Sequence, residues 1–283
     1  MKKIMKSKYF KILSLIDKDK SFHKTNSKKY KVLKNDLKRE IIKISKKGNI
    51  YQPLKNLKIT LPFYKMGKIN SLNLFELDEL IIFSIYKRII KKNSKVADLG
   101  ANIGLHTIVM SKLGGNVTAF EPDFKHAKEL SKNLKINNTK AKIIRKAVFT
   151  KKTKIKFTRV INNSTSSFIG DVKKPHGPVK VTKVRTENFL NILKANNILK
   201  IDVEGVEDKL IKSTKDKDWI NKFAILEVGS NLNAQKIFSH FKAFKNVKLL
   251  SQKCSWEKVK KISQMPTSYK QGSLVICDKN FSL

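Results

Sequence analysis

Residues 96–121 read VADLGANIGLHTIVMSKLGGNVTAFE. The run begins as a short apolar strand with Asp98 near its end and breaks at Gly100 and Gly104. It continues with helical spacing and closes on a second apolar run ending at Glu121. Strand, glycine turn, helix and strand in this order open a doubly wound α/β sheet, in which ligands sit beyond the carboxyl ends of the strands. Gly100 allows a tight turn with a ligand against the backbone, and Gly104 allows the following helix to pack close.

The same residues narrow the ligand. A dinucleotide site places G-x-G-x-x-G here so that a pyrophosphate meets the helix N-terminus. This chain has DLGANIG: Asn102 stands where a second glycine would admit the phosphate, and Asp98 would repel it. A cofactor carrying an ammonium and a sulfonium is attracted instead, and S-adenosylmethionine carries both. Glu121 suits a ribose diol, as it also would in a nicotinamide site, so it discriminates only together with Asp98 and Asn102.

The alternation continues on both sides. LNLFELDELIIFSIYKRII (72–90) reads as a helix entering the core, residues 102–113 as a helix, and DFKHAKELSKNLKINN (123–138) as a helix begun by Pro122 and Asp123. AKIIRKAVF (141–149) reads as one third strand, ILKIDVEG (198–205) as the fourth and KFAILEVGS (222–230) as the fifth. NVKLLSQK (246–253) and GSLVICDK (272–279) read as a closing pair. Between strands three and four, IKFTRV and VKVTKV alternate around NNSTSS (162–167). They predict a hairpin insertion over about residues 150–187, either a lid or substrate wall on the crevice or a plain surface hairpin. Residues 1–65 form a lysine-rich, helical extension with little strand pattern and a breaker cluster at Gly48, Asn49 and Pro53, and residues 66–283 hold the main domain.

The chain of 283 residues carries 62 Lys and Arg against 22 Asp and Glu, a formal charge of +40. Nucleic acid, an anionic membrane surface or an acidic polysaccharide would be drawn to such a field. Lys, Ile and Asn enrichment also fits an AT-rich genome, and both readings stay open. Cys254 and Cys277 lack metal-ligand spacing, and His23, His126, His176 and His240 form no metal pattern, so no metal is expected. No run approaches the ~18 apolar residues of a membrane span. The N-terminus does not read as a signal peptide; it reads as a basic amphipathic helix with Ile4, Phe10, Ile12, Leu13 and Ile16 as apolar members, which either packs on the main domain or touches a membrane surface or partner. Two cysteines without a disulfide framework suit a cytoplasmic protein, with peripheral attachment to an anionic membrane as a variant.

A cofactor of this kind would serve methyl transfer, which needs the acceptor aligned and its proton removed. Lys200, Asp202 and Glu204 in the fourth strand supply charged groups where apolar ones are the rule. Asp202 is assigned as general base or substrate-orienting carboxylate, Glu204 stands beside it, and Lys200 lowers the hydroxyl pKa or neutralises Asp202. Alternation carries Glu204 to the same side if the strand persists. Glu207 reads as a helix-dipole acid, Glu227 as a crevice-edge or solvated carboxylate, and His106 as packing or capping.

Asp98-Leu-Gly-Ala-Asn-Ile-Gly104, Ala119-Phe-Glu-Pro122 and Lys200-Ile-Asp-Val-Glu-Gly-Val-Glu207 together resemble the three signature blocks of FkbM-type methyltransferases. The resemblance covers about residues 76–229. It implies a class I, S-adenosylmethionine-dependent O-methyltransferase with a mostly parallel, Rossmann-like seven-stranded sheet and a reversed final hairpin. It places Asp98, Gly100, Ala101, Asn102, Gly104, Glu121 and Pro122 in the cofactor pocket and Lys146 and Ala147 near the adenine. The chain departs from the family in its extension and in Arg185-Thr-Glu-Asn188, where Glu187 takes an aspartate's place. The resemblance implies a glycan or small-molecule hydroxyl as acceptor. An RNA ribose 2′-hydroxyl, or non-catalytic polyanion binding on the same fold, are the alternatives that the charge suggests.

Overall fold

The computed structural model describes residues 2–45, 50–66, 69–161, 167–170 and 177–283. Gly48, Asn49, His176 and residues 162–166 of the NNSTSS loop lie outside the described residues.

Helices α1 (Lys2–Lys18) and α2 (Lys28–Ser45) open the chain. Their apolar positions recur at three and four residues, so Tyr9, Ile12, Leu13 and Ile16 face inward with Tyr30, Leu33, Leu37 and Ile41. The extension is not wholly helical. It ends in the antiparallel pair β1 (Ile50–Leu54) and β2 (Leu57–Thr60), followed by the short pair β3 (Lys65–Met66) and β4 (Ile69–Asn70). Leu57 and Ile59 alternate inward along β2, a two-residue period too short to stand out in the sequence.

The α/β unit runs α3 (Leu77–Ile89), β5 (Lys95–Leu99), α4 (Leu105–Lys112), β6 (Asn116–Phe120), α5 (Phe124–Ile136) and β7 (Lys142–Ile144). A second sheet interrupts it with β8 (Ala147–Phe149), β9 (Lys154–Val160), β10 (Phe168–Ile169) and β11 (Val179–Asn188). It resumes with α6 (Phe189–Ala195), β12 (Ile198–Ile201), α7 (Glu207–Lys212), β13 (Phe223–Leu226), α8 (Asn231–Phe241), β14 (Val247–Ser251), β15 (Glu257–Lys258) and β16 (Leu274–Asp278). The main sheet has the order β15-β14-β16-β13-β12-β5-β6-β7. Its β13, β12, β5, β6 and β7 pair in parallel, β16 pairs antiparallel with both β13 and β14, and β15 pairs antiparallel with β14.

Both faces are covered, as a parallel sheet requires. Alternate residues of one strand enter two different cores. Val96, Ile198 and Phe223 pack with α1 to α4, whereas Ala97, Leu199 and Ala224 pack with α6 to α8.

Three expectations need correcting. The sheet has eight strands rather than seven, because Ser255 and Trp256 at positive φ turn the chain back and let Glu257 and Lys258 pair along β14. AKIIRKAVF is two strands in two sheets: Lys146 N–H bonds the Ile144 carbonyl at 2.8 Å, a local turn that diverts the chain, and β8 then pairs with β11. Helix α4 starts at Leu105 rather than Asn102, because Asn102 (φ 49°) and Gly104 (φ 93°) are left-handed. The hairpin insertion is present, with β9 and β11 antiparallel from Lys154 opposite Arg185 to Val160 opposite Val179.

The extension shares one buried core with α3 and β5. Its polar anchor is His23, where Trp256 Nε1 donates to Nδ1 at 2.8 Å and Nε2 lies 2.8 Å from the Ile16 carbonyl. The pattern fixes a neutral imidazole with its proton on Nε2. Burial pushes the His23 pKa below its ordinary value, against the opposing pull of the Ile16 carbonyl. Below about pH 6.5 the unfolded chain therefore takes up a proton that the folded one resists. Stability from this site is complete above that pH and is lost as pH falls toward the folded value. The urea midpoint should drop between pH 7.5 and 5.5, and His23→Gln should flatten that drop; an equal drop in the variant would assign it elsewhere.

Candidate active site

The crevice is built by three parallel strands that stop level with one another. Asp98 of β5 lies beside Lys200 of β12, and Leu99, Ile201 and Leu226 are in register across β5, β12 and β13. Asp202 N–H then bonds the Leu99 carbonyl at 3.0 Å, and Glu227 N–H the Ile201 carbonyl at 3.2 Å, so both carboxyls leave the sheet together.

The glycine loop closes over the end of β5. Gly100 and Ala101 donate to the Phe120 carbonyl at 3.0 and 3.1 Å. A Cβ on Gly100 would sit 1.8 Å from the Asp202 carbonyl oxygen, and one on Gly104 would sit 2.8 Å from Leu130 Cγ of α5. Asn133 of α5 donates to the Ile103 carbonyl at 2.9 Å and holds the loop from the other side. Asn102 N–H and Asp123 N–H each donate to one Glu121 oxygen, both at 2.8 Å. Glu121 therefore organises the loop as well as facing it, and each oxygen keeps one further lone pair.

Among the described residues, four buried side-chain polar atoms have no hydrogen-bond partner, and three of them lie here: Asp98 Oδ1, Asn102 Oδ1 and Glu79 Oε2. Asp98 is fully buried, with its other oxygen accepting from Thr107 Oγ at 2.6 Å. Such atoms are rare in native proteins and mark places where a ligand completes the bonding. An ammonium or hydroxyl donor fits Asp98 Oδ1, so the residues present suit S-adenosylmethionine.

Lys200 Nζ donates to Asp202 Oδ2 at 2.8 Å. Burial opposes both charges, but each outweighs it for the other. The Lys200 ammonium holds Asp202 below its ordinary pKa, and Asp202 with Asp98 raises that of Lys200. Beside them, the Asp202 charge and then burial raise the Glu227 pKa far above the carboxylate range, so Glu227 keeps its proton and donates it to Asp202.

Glu204 does not continue the strand face, since β12 ends at Ile201 and Glu204 lies at φ 60° with Gly205 at φ 109°. Glu207 is more than a dipole acid. Buried, it accepts the N–H of Val203 at 3.2 Å and of Gly205 at 3.0 Å, stapling this loop, and burial raises its pKa. His106 is not simple packing either: its Nδ1 meets the buried Tyr86 hydroxyl at 3.0 Å and its Nε2 lies 3.0 Å from Glu79 Oε2. Glu79 and Tyr86 come from α3 and carried no motif. The signal available was Tyr86 itself, a phenol in an apolar helix that needs a partner for its hydroxyl.

Pro122 is half-buried and Ala147 buried, beyond the edge of β6. Lys146 pairs with Glu187 at 2.8 Å; that bond, with Lys152 at 3.2 Å, lowers the Glu187 pKa to about 2. The insertion reaches the same edge, where Arg159 Nε of β9 pairs with the buried Asp123 at 3.0 Å. No trio of His, Cys, Asp or Glu among the described residues is arranged to hold a metal ion.

A sequence profile of the methyltransferase FkbM domain matches residues 98–254, more than half the chain. The chain belongs to the FkbM methyltransferase domain family. It is an S-adenosylmethionine-dependent methyltransferase. The FkbM match begins within β5, at Asp98, and leaves α3 outside it. No curated protein sequence matches the chain. Solved structures similar to it include a putative rRNA methylase from Clostridium thermocellum, 11% identical over 71% of this chain and 94% of that one, TM-score 0.42. Another is the T. thermophilus 16S rRNA N2 G1207 methyltransferase in complex with AdoMet and guanosine, 13% identical over 82% of this chain and 50% of that one, TM-score 0.42.

Gly100→Ala should abolish donor binding by calorimetry and lower the melting temperature, because the new methyl would overlap the Asp202 carbonyl and the φ of 81° disfavours any side chain. Unchanged donor affinity in a folded variant would contradict this account of the loop.

Proposed function

We propose that this FkbM-domain methyltransferase methylates a hydroxyl of a neutral, hydroxylated acceptor, a glycan or a small molecule. The observation that carries the reading is the charge of the crevice. The protein bears +40, yet the reacting end of the sheet gathers the carboxylates of Asp98, Asp202 and Glu204 around the ammonium of Lys200, with the protonated Glu227 beside them. Carboxylates accept hydrogen bonds from hydroxyls and repel phosphates.

When bound, S-adenosylmethionine supplies an electrophilic methyl on a cationic sulfur. Asp98, with its unsatisfied oxygen, and Asn102 hold the ammonium end, with Gly100, Ala101 and Gly104 as the backbone cradle. Glu121 offers its remaining lone pairs to the ribose hydroxyls, with Pro122 and Ala147 on the adenine side. Asp202 orients the acceptor hydroxyl, its charge balanced by Lys200, and Glu204 flanks it on the stapled loop. The insertion, tied to Asp123 through Arg159, supplies a wall on the donor side. The free thiols Cys254 and Cys277 suit a reducing cytoplasm.

The overall charge favours a second reading, an RNA ribose 2′-hydroxyl. Labelled methyl transfer against separated glycan, lipid and RNA fractions decides between them. Transfer confined to RNA, with affinity falling steeply in salt, would replace the neutral acceptor. Asp98→Ala should lose donor binding by at least tenfold, whereas Asp202→Ala should keep it within about threefold and remove transfer. The reverse pattern would reject the residue assignment.

A further inference from the structure

One carboxylate with an unsatisfied oxygen beside this crevice comes from outside the FkbM match. Asp202 is committed: Lys200 neutralises one oxygen, and Glu227 donates to the group as well. Glu79, in the first turn of α3, is differently placed. Its Oε2 is buried and makes no hydrogen bond, and its ion-pair contact is His106 Nε2, 3.0 Å away. His106 directly precedes Thr107, whose hydroxyl donates to Asp98 at 2.6 Å, so the contact with His106 brings Glu79 to the end of β5.

Behind it stands a fixed chain of donors. Tyr86 is fully buried and keeps its proton, since burial and then the Asp98 charge raise its pKa. Its hydroxyl lies 3.0 Å from His106 Nδ1, and a phenol donating there sets the imidazole proton on Nε2, on the Glu79 side. Phe83 packs edge-on against the His106 ring at 5.3 Å and stops it from turning away. Glu79 is held in turn by its helix, because neighbouring Asp78 is bound by Tyr30 at 2.6 Å, Lys34 at 3.2 Å and Gln252 at 3.0 Å.

Two of the three unsatisfied atoms, on Asp98 and Asn102, belong to the donor pocket. We propose that the third belongs to the acceptor: Glu79, set in place by Tyr86 and His106, is the catalytic carboxylate that takes the proton of the acceptor hydroxyl. The acceptor oxygen forms its bond to the methyl carbon as its O–H bond gives the proton to Glu79. The carbon–sulfur pair stays on sulfur, and S-adenosylhomocysteine, the methyl ether and protonated Glu79 result. Tyr86 and His106 are positioning residues. This rests on the methyltransferase reading of the same site.

Sinefungin separates the two. It is the donor analogue with an amine at the position of the transferred methyl, so its ammonium points where the acceptor oxygen would lie. Calorimetry of the full chain should show sinefungin bound about tenfold or more tightly than S-adenosylhomocysteine. Glu79→Gln should remove most of that preference and leave S-adenosylhomocysteine affinity unchanged. Tyr86→Phe, which keeps the carboxylate but frees His106, should remove a smaller part of it and provides a second test if Glu79→Gln folds poorly. A preference that survives both variants, or an equal loss of both ligands, would overturn the role of Glu79 while leaving the methyltransferase in place. Wild type that binds neither analogue would overturn the donor site and this proposal with it.

Discussion

The Asp202 carbonyl oxygen lies against Gly100, in a space that no other residue could share. That contact exists because β5 and β12 are adjacent, parallel and in register to their last residues, and because Asp202 N–H reaches the Leu99 carbonyl as both strands end. From it follow the height of the glycine loop, the left-handed turn at Asn102, and the exit of Asp202 beside Lys200. Glu121 and Asn133 fasten the loop from its far side, and Glu207 fastens the loop after Asp202. The site is therefore a property of two strand ends and their three clamps, Asn133 and Glu207 on helices and Glu121 directly after β6.

The extension enters this arrangement through α3. Tyr30 and Lys34 of α2 and Gln252 after β14 converge on Asp78, one residue before Glu79. Tyr51 of β1 stacks on Phe75 at 4.0 Å, just ahead of the helix. An element that looks peripheral in the chain thus fixes the helix that carries Glu79 and Tyr86 to His106.

The sheet and donor loop were legible in the sequence because their determinants are local. Apolar runs, glycines at fixed offsets and acids at strand ends are one-dimensional signals, and Asp98, Gly100, Glu121 and Asp202 all carry them. What stayed hidden depends on contacts made at a distance. Glu79 and His106 are 27 residues apart in sequence and meet only when α3 packs on α4. The division of residues 141–149 between two sheets is decided by the Ile144–Lys146 turn, and apolar periodicity cannot report which sheet a strand joins. Glu207 was half legible: an acid in a first turn is ordinary, but its reach back to Gly205 follows from the left-handed backbone before it.

The molecule keeps two populations of charge apart. Its surplus lysines stand mostly at the surface in water, whereas Asp98 is fully buried and Lys200 is 11% exposed. At an ionic strength near 0.15 M, fields between exposed charges fade over about 8 Å, while buried groups are screened far less. Salt therefore acts as a selective filter. It strips away the long-range pull of the surface on any polyanion and leaves the short-range, acid-lined chemistry of the crevice intact.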